Sequence, residues 1–127
     1  MTKADGDFTQ QAEAYARSRP GYPAALIDRL AERCHVKAGD PVADIGAGTG
    51  LLTKMLRDRG FVVTAVEPNE AMRGRRINMP DVTWINGTFE STGLPDQSQQ
   101  WLVSAQAFHW ADPGKALPEL RRVLKPG

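Results

Sequence analysis

The sequence predicts an α/β fold, a parallel sheet with helices on both faces, and three observations predict it. Apolar strand-like runs alternate with segments of helical period from residue 41 onward. A glycine turn, DIGAGTG, stands where the first such strand hands over to a helix. The second strand ends on an acidic residue, Glu67, followed by a proline. The 127 residues are enough for one domain, and a chain of this size buries a core without help from disulfides.

The elements follow in order. Residues 8–19, FTQQAEAYARSR, are rich in helix formers and stop at Pro20-Gly21-Tyr22-Pro23. A second helix opens with Pro23 near its first position and puts Leu26, Ile27, Leu30, Ala31 and Cys34 on one face. Lys37-Ala38-Gly39-Asp40 turns the chain into the first strand, 41–47. After the glycine turn, LLTKMLRDRG is helical and ends at Gly60. The second strand is 61–68. A helix capped by Asn69 follows, then a third strand at 82–87 and a fourth at 101–108. The last segment is helical, with Asp112 as N-cap and Pro113 at the first position. Pro118 predicts either a kink there or a helix that begins only near Leu117.

Composition narrows the function classes. Sixteen Lys and Arg against fifteen Asp and Glu leave a net charge of +1, which gives no pull toward nucleic acid or an anionic membrane. A single cysteine excludes an internal disulfide, and two histidines do not make a zinc site, so no metal is expected. There is no signal-peptide pattern and no membrane-length apolar run. The expectation is a soluble cytoplasmic protein.

The glycine turn carries the chemistry. Glycines let a ligand approach the backbone, and the helix behind them offers unpaired N–H groups. The dinucleotide fingerprint requires G-x-G-x-x-G, but here the third glycine comes one position early, as G-x-G-x-G. A phosphate-binding loop is excluded because no G-K-[ST] follows the glycines. Glu67, 21 positions after Gly46, can accept two hydrogen bonds from a ribose diol.

Taken in order, DIGAGTG, VEPNEAM, GTFESTGLPDQS, AQAFHW and LRRVLKPG resemble the class I S-adenosylmethionine-dependent methyltransferases. The resemblance is greatest to the small-molecule branch called methyltransferase type 11. YARSRPGYP near the N-terminus is similar to the same branch, so the likeness covers nearly the whole chain. It implies a Rossmann-like sheet in the order 3-2-1-4 and S-adenosylmethionine as cofactor. It also implies methyl transfer to a small-molecule acceptor.

Residue by residue, the resemblance implies that Asp44, Gly46, Ala47 and Gly48 hold the methionine part of the cofactor. Asp44 has a competing structural role, bracing the glycine loop through backbone N–H groups. Glu67 and Pro68 stand at the ribose, Met72 at the adenine, and Thr88 and Phe89 in the loop that reads the adenine edge. Phe89 either stacks on the base or fills core. Gln106 lies beside the methyl donor, with His109 as candidate general base and Trp110 at the substrate entrance. Tyr15, Arg19 and Tyr22 belong to a lid at 1–22, folded over a cofactor-binding core at 23–127.

The family fold has seven strands, and residues 124–127 match its turn into the fifth. The resemblance therefore implies a domain shortened at its C-terminus, with an open edge on the fourth strand. That edge, or the last helix, is expected to pair two copies into a homodimer. Gln99 and Gln100 replace an apolar residue and an aspartate, which implies a looser start to the fourth strand. Two other functions stand beside the enzyme: an inactive remnant that binds cofactor or only self-associates, and a dinucleotide-binding domain of the NAD type.

Overall fold

A computed structural model describes residues 24–105 and 112–126. The elements in chain order are α1 (Ala24–Arg33), β1 (Pro41–Ile45), α2 (Leu51–Asp58), β2 (Val62–Val66), α3 (Glu70–Gly74), β3 (Thr83–Ile85), β4 (Trp101–Val103) and α4 (Pro113–Val123). The four strands are parallel and lie in the expected order β3-β2-β1-β4. Asp44 stands level with Ala65 on one side and Val103 on the other.

Strand alternation divides the core in two. Val42 joins Val63, Ala65 and Val103 on the face covered by Ile27 and Ala31 of α1 and Leu52 and Leu56 of α2. Ala43, Ile45 and Val66 point the other way, onto Phe89, Leu94 and the α4 residues Ala116 and Val123. Asp44 shares the parity of Val42 and so faces α2, where the fully buried Thr53 meets it.

Several local expectations change. Cys34 lies outside the buried face of α1 and is exposed, because the helix closes one residue earlier. His35 takes the left-handed conformation at φ 56°, the Val36 N–H bonds to the Ala31 carbonyl at 2.9 Å, and the His35 N–H bonds to Glu32 at 3.1 Å. This is a Schellman closure with histidine where glycine is usual, and Ala31 and Val36 both enter the core beneath it.

α4 begins at Pro113 and runs through Pro118 as one element, not from Leu117. Asp112 caps it by accepting the Gly114 N–H at 3.0 Å. The carbonyl that Pro118 leaves without a donor belongs to Gly114, which is exposed to water. α3 stops at Gly74 because the Ile77 N–H returns to the Thr49 carbonyl at 2.8 Å, pulling the chain toward the glycine loop.

Gln99 and Gln100 do not loosen the start of β4. The Gln100 N–H donates to the Pro41 carbonyl at 2.7 Å. Gln99 donates to Val123 at 3.1 Å and accepts from the Lys125 N–H at 2.8 Å. Backbone pairing on both sides fixes this segment, whatever its side chains. The Gln99–Leu124 bridge is parallel and lies on the edge of β4 away from β1. Beside it Leu102, Leu117, Leu120 and Leu124 line an open groove of about 630 Å³. Among the described residues no helix is long and apolar enough to cross a membrane.

Candidate active site

The site lies at the carboxyl ends of β1 and β2, where parallel sheets hold their ligands. Gly46, Gly48 and Gly50 carry φ of 77°, 62° and 98°, so the loop is built from left-handed turns that side chains disfavour. The N–H groups of Gly46 and Ala47 both bond to the Val66 carbonyl, at 2.8 and 3.1 Å, and tie the loop to β2.

Gly50 explains the early third glycine. A Cβ there would stand 3.1–3.2 Å from the indole ring of Trp84 and from Met79. The loop backbone packs directly on β3, and a dinucleotide-type spacing would put a side chain in that contact. Gly50 also precedes α2 without any side-chain cap.

Glu67 is 7% exposed and holds the loop from below. Its Oε1 accepts the Gly48 N–H at 2.7 Å, and its Oε2 accepts the Asn69 N–H at 2.9 Å. The bracing role considered for Asp44 thus belongs to Glu67. One donor on each oxygen leaves further lone pairs for a diol.

Asp44 is 1% exposed, and its Oδ2 accepts a 2.6 Å bond from the Thr53 hydroxyl. Burial pushes its carboxyl up to about 7 against the lowering effect of Thr53, and the negative charge of Glu67 adds to the rise.

Asp44, Gly46, Ala47, Gly48 and Met72 line one cavity of about 200 Å³, completed by Thr49, Leu51, Leu52 and Ala105. Met72 is 44% exposed at its side, held there by the Asn69 cap, whose side chain accepts the Met72 N–H at 3.1 Å. Pro68 follows Glu67 and is exposed.

The loop after β3 is placed differently. Thr88 turns its hydroxyl onto its own loop, accepting the Ser91 N–H at 3.0 Å. Phe89 takes the core alternative, packed with Ile45, Val66 and Leu94. A Cβ at Gly87 would overlap the Thr92 carbonyl, so the turn that leads into Phe89 is closed tightly. Gln106, His109, Trp110, Tyr15, Arg19 and Tyr22 lie outside the described residues.

Sequence reasoning missed Thr53. Its signal was a hydroxyl on the buried face of α2, between Leu52 and Leu56. Among the described residues no group of His, Cys, Asp and Glu is arranged to hold a metal.

A parallel 3-2-1-4 sheet with a glycine loop and two strand-end carboxylates defines a Rossmann-like α/β protein. The sequence profile of the methyltransferase domain family matches residues 43–127, and the chain belongs to that family, the class I S-adenosylmethionine-dependent methyltransferases. An uncharacterized methyltransferase of Mycobacterium tuberculosis is 43% identical over 121 residues, which are 94% of this chain and 48% of the relative. The chain spans about half the length of this and other curated relatives it matches.

Two solved structures agree. One is of a putative type II methyltransferase from Anaeromyxobacter dehalogenans, at TM-score 0.75 and 38% identity over 85% of this chain and 45% of that one. The other is of an S-adenosylmethionine-dependent methyltransferase from Aquifex aeolicus, at TM-score 0.68 and 26% identity, covering 78% of this chain and 58% of that one.

Proposed function

We propose that the cavity behind the glycine loop binds S-adenosylmethionine and that the protein transfers its methyl group to a small-molecule acceptor. The observation that carries this is the charge of the site. Asp44 lines the cavity, Glu67 holds its rim, and none of the described lining residues is basic. Such a site suits a cationic ligand with an ammonium and a diol, and it opposes a dinucleotide pyrophosphate.

When bound, S-adenosylmethionine supplies a methyl group that is already electrophilic. The chain's own residues then have to bind, orient and exclude water. Asp44 receives the amine, the glycine backbone admits close approach, and Glu67 accepts from the ribose hydroxyls. Met72 offers an apolar, polarisable surface to the base. His109 as general base, Gln106 beside the methyl donor, Trp110 at the substrate entrance, and Tyr15, Arg19 and Tyr22 in a lid complete the reading. So does a cytoplasmic location.

Self-association belongs to the same reading, through the outer edge of β4 or through α4, and the leucine groove there supports it. Sedimentation velocity decides it, with a dimer expected and a clean monomer contrary to it. The cofactor is tested by calorimetric titration with S-adenosylmethionine, S-adenosylhomocysteine and NAD. Saturable binding of the first two alone is expected. A preference for NAD would reverse the assignment.

A further inference from the structure

Asp44 is an unusual carboxylate for its surroundings. It is buried between α2 and the sheet, and among the described residues its one hydrogen-bond partner is Thr53. The elements packed around it offer little else. From β2 and the residue after it come Ala65, level in the sheet, and the acidic Glu67. From β4 and the residues after it come Val103, level in the sheet, and Ala105 at the cavity wall; neither titrates. From α2 comes the hydroxyl of Thr53, itself fully buried. No described cation balances Asp44. A cationic ligand entering the cavity would supply a counter-charge that the described residues do not.

We propose that Thr53 is the positioning residue of this pocket: its hydroxyl pins Oδ2 of Asp44, which leaves Oδ1 to receive the ligand's amine and favours the ionised carboxylate. The proposal rests on the assignment of the cavity to S-adenosylmethionine. The geometry carries it, since a 2.6 Å O–H···O bond to a carboxylate is short and charge-assisted. Because Thr53 stands on the first full turn of α2, the helix that follows the glycine loop fixes the orientation of the acid that precedes it.

The electrostatics agree in direction. Burial and Glu67 raise the carboxyl while Thr53 lowers it, so the balance falls near neutrality, at about 7. Binding of a cation then requires Asp44 to release a proton at lower pH. Affinity should rise about tenfold per pH unit up to the midpoint and level off above it.

The experiment is calorimetric titration of the full chain with S-adenosylmethionine from pH 5.5 to 7.5, for wild type, Thr53→Val and Thr53→Ser. Wild type should rise steeply and begin to level off by pH 7.5. Thr53→Val keeps the shape but removes the donor. It should bind about tenfold more weakly at pH 7 and still be rising without levelling at pH 7.5, because its midpoint moves up. Thr53→Ser restores the hydroxyl and should return affinity to within about threefold, on the wild-type profile.

Should valine cost the fold, as judged by thermal melting, Thr53→Cys keeps the volume with a weak donor and should show a smaller shift in the same direction. Wild-type binding with an unchanged affinity and pH profile in the valine or cysteine variant overturns the inference alone. A folded wild type that binds no S-adenosylmethionine at any pH overturns the assignment of the pocket, and the inference falls with it.

Discussion

Two carboxylates in this molecule have been driven in opposite directions. Glu119 on α4 accepts from the Thr92 N–H and hydroxyl at 2.9 and 2.7 Å, and from Arg122 at 2.8 Å on each oxygen. Arg122 also reaches the Leu94 carbonyl and Asp96, so the loop before β4 is clamped onto the helix. The Arg122 guanidinium and the Thr92 donors hold the Glu119 carboxyl down to about 2. Among the described residues Asp44 has one hydroxyl for a partner and an acid for its charged neighbour, and burial drives it up to about 7.

At Asp44 the loss of solvation outweighs its single hydroxyl donor, whereas at the less deeply buried Glu119 the Arg122 guanidinium and the Thr92 donors outweigh it. A carboxylate saturated within the chain has little left to offer a ligand. One left short of donors, at the wall of a cavity, is held ready for one.

The sharpest way to separate the two regions is Glu67→Ala. It removes the acceptor of the Gly48 and Asn69 N–H groups and should lower S-adenosylmethionine affinity at least ~100-fold by calorimetry. It should also destabilise the chain by about 1–3 kcal/mol, read from denaturant melts. Next is Gly50→Ala, which forces a side chain to φ 98° and against Trp84; a loss of about 2 kcal/mol is expected. An unchanged melt would mean that the loop does not pack on β3 as described.

Glu119→Gln should cost about 1–2 kcal/mol and leave affinity untouched, which is the converse of the cofactor site. Its pH signature follows from its lowered carboxyl. The unfolded chain binds the proton more tightly, so wild type loses this contribution as pH falls from about 4.5 toward 2, and the variant does not.

Asp44 has the opposite sign. The folded chain holds the proton more tightly, so its contribution to stability declines as pH rises from about 4 to about 7. Asp44→Asn should abolish that slope in apo-protein melts. A slope that persists would place the titrating group elsewhere.

Much of this was legible because strand alternation and glycine spacing are local signals. Asp44, Gly46 and Gly48 fall at one strand end by period alone, and Glu67 falls at the next. The caps Asn69 and Asp112 were readable from residue type. Other features depended on contacts distant in sequence. The early glycine answers to Trp84, 34 positions on, and no single-segment pattern records that pairing. Phe89 goes to the core against Ile45 and Val66 of β1 and β2, contacts that no local pattern records. His35 in a left-handed cap shortened α1 where sequence rules look for glycine or asparagine. The Glu119–Arg122 clamp gave no sign, since an i,i+3 pair on a helix reads as an exposed face until Thr92 covers it.

The central claim is that an acid-lined cavity at the ends of β1 and β2 binds the cofactor, while the acid on α4 serves only the fold. Titrating wild type, Glu67→Ala and Glu119→Gln with S-adenosylmethionine, each shown folded by its melt, tests this most directly. The account predicts saturable binding in wild type and Glu119→Gln and none in Glu67→Ala. No binding by the folded wild type, or an equal loss in both variants, would contradict it.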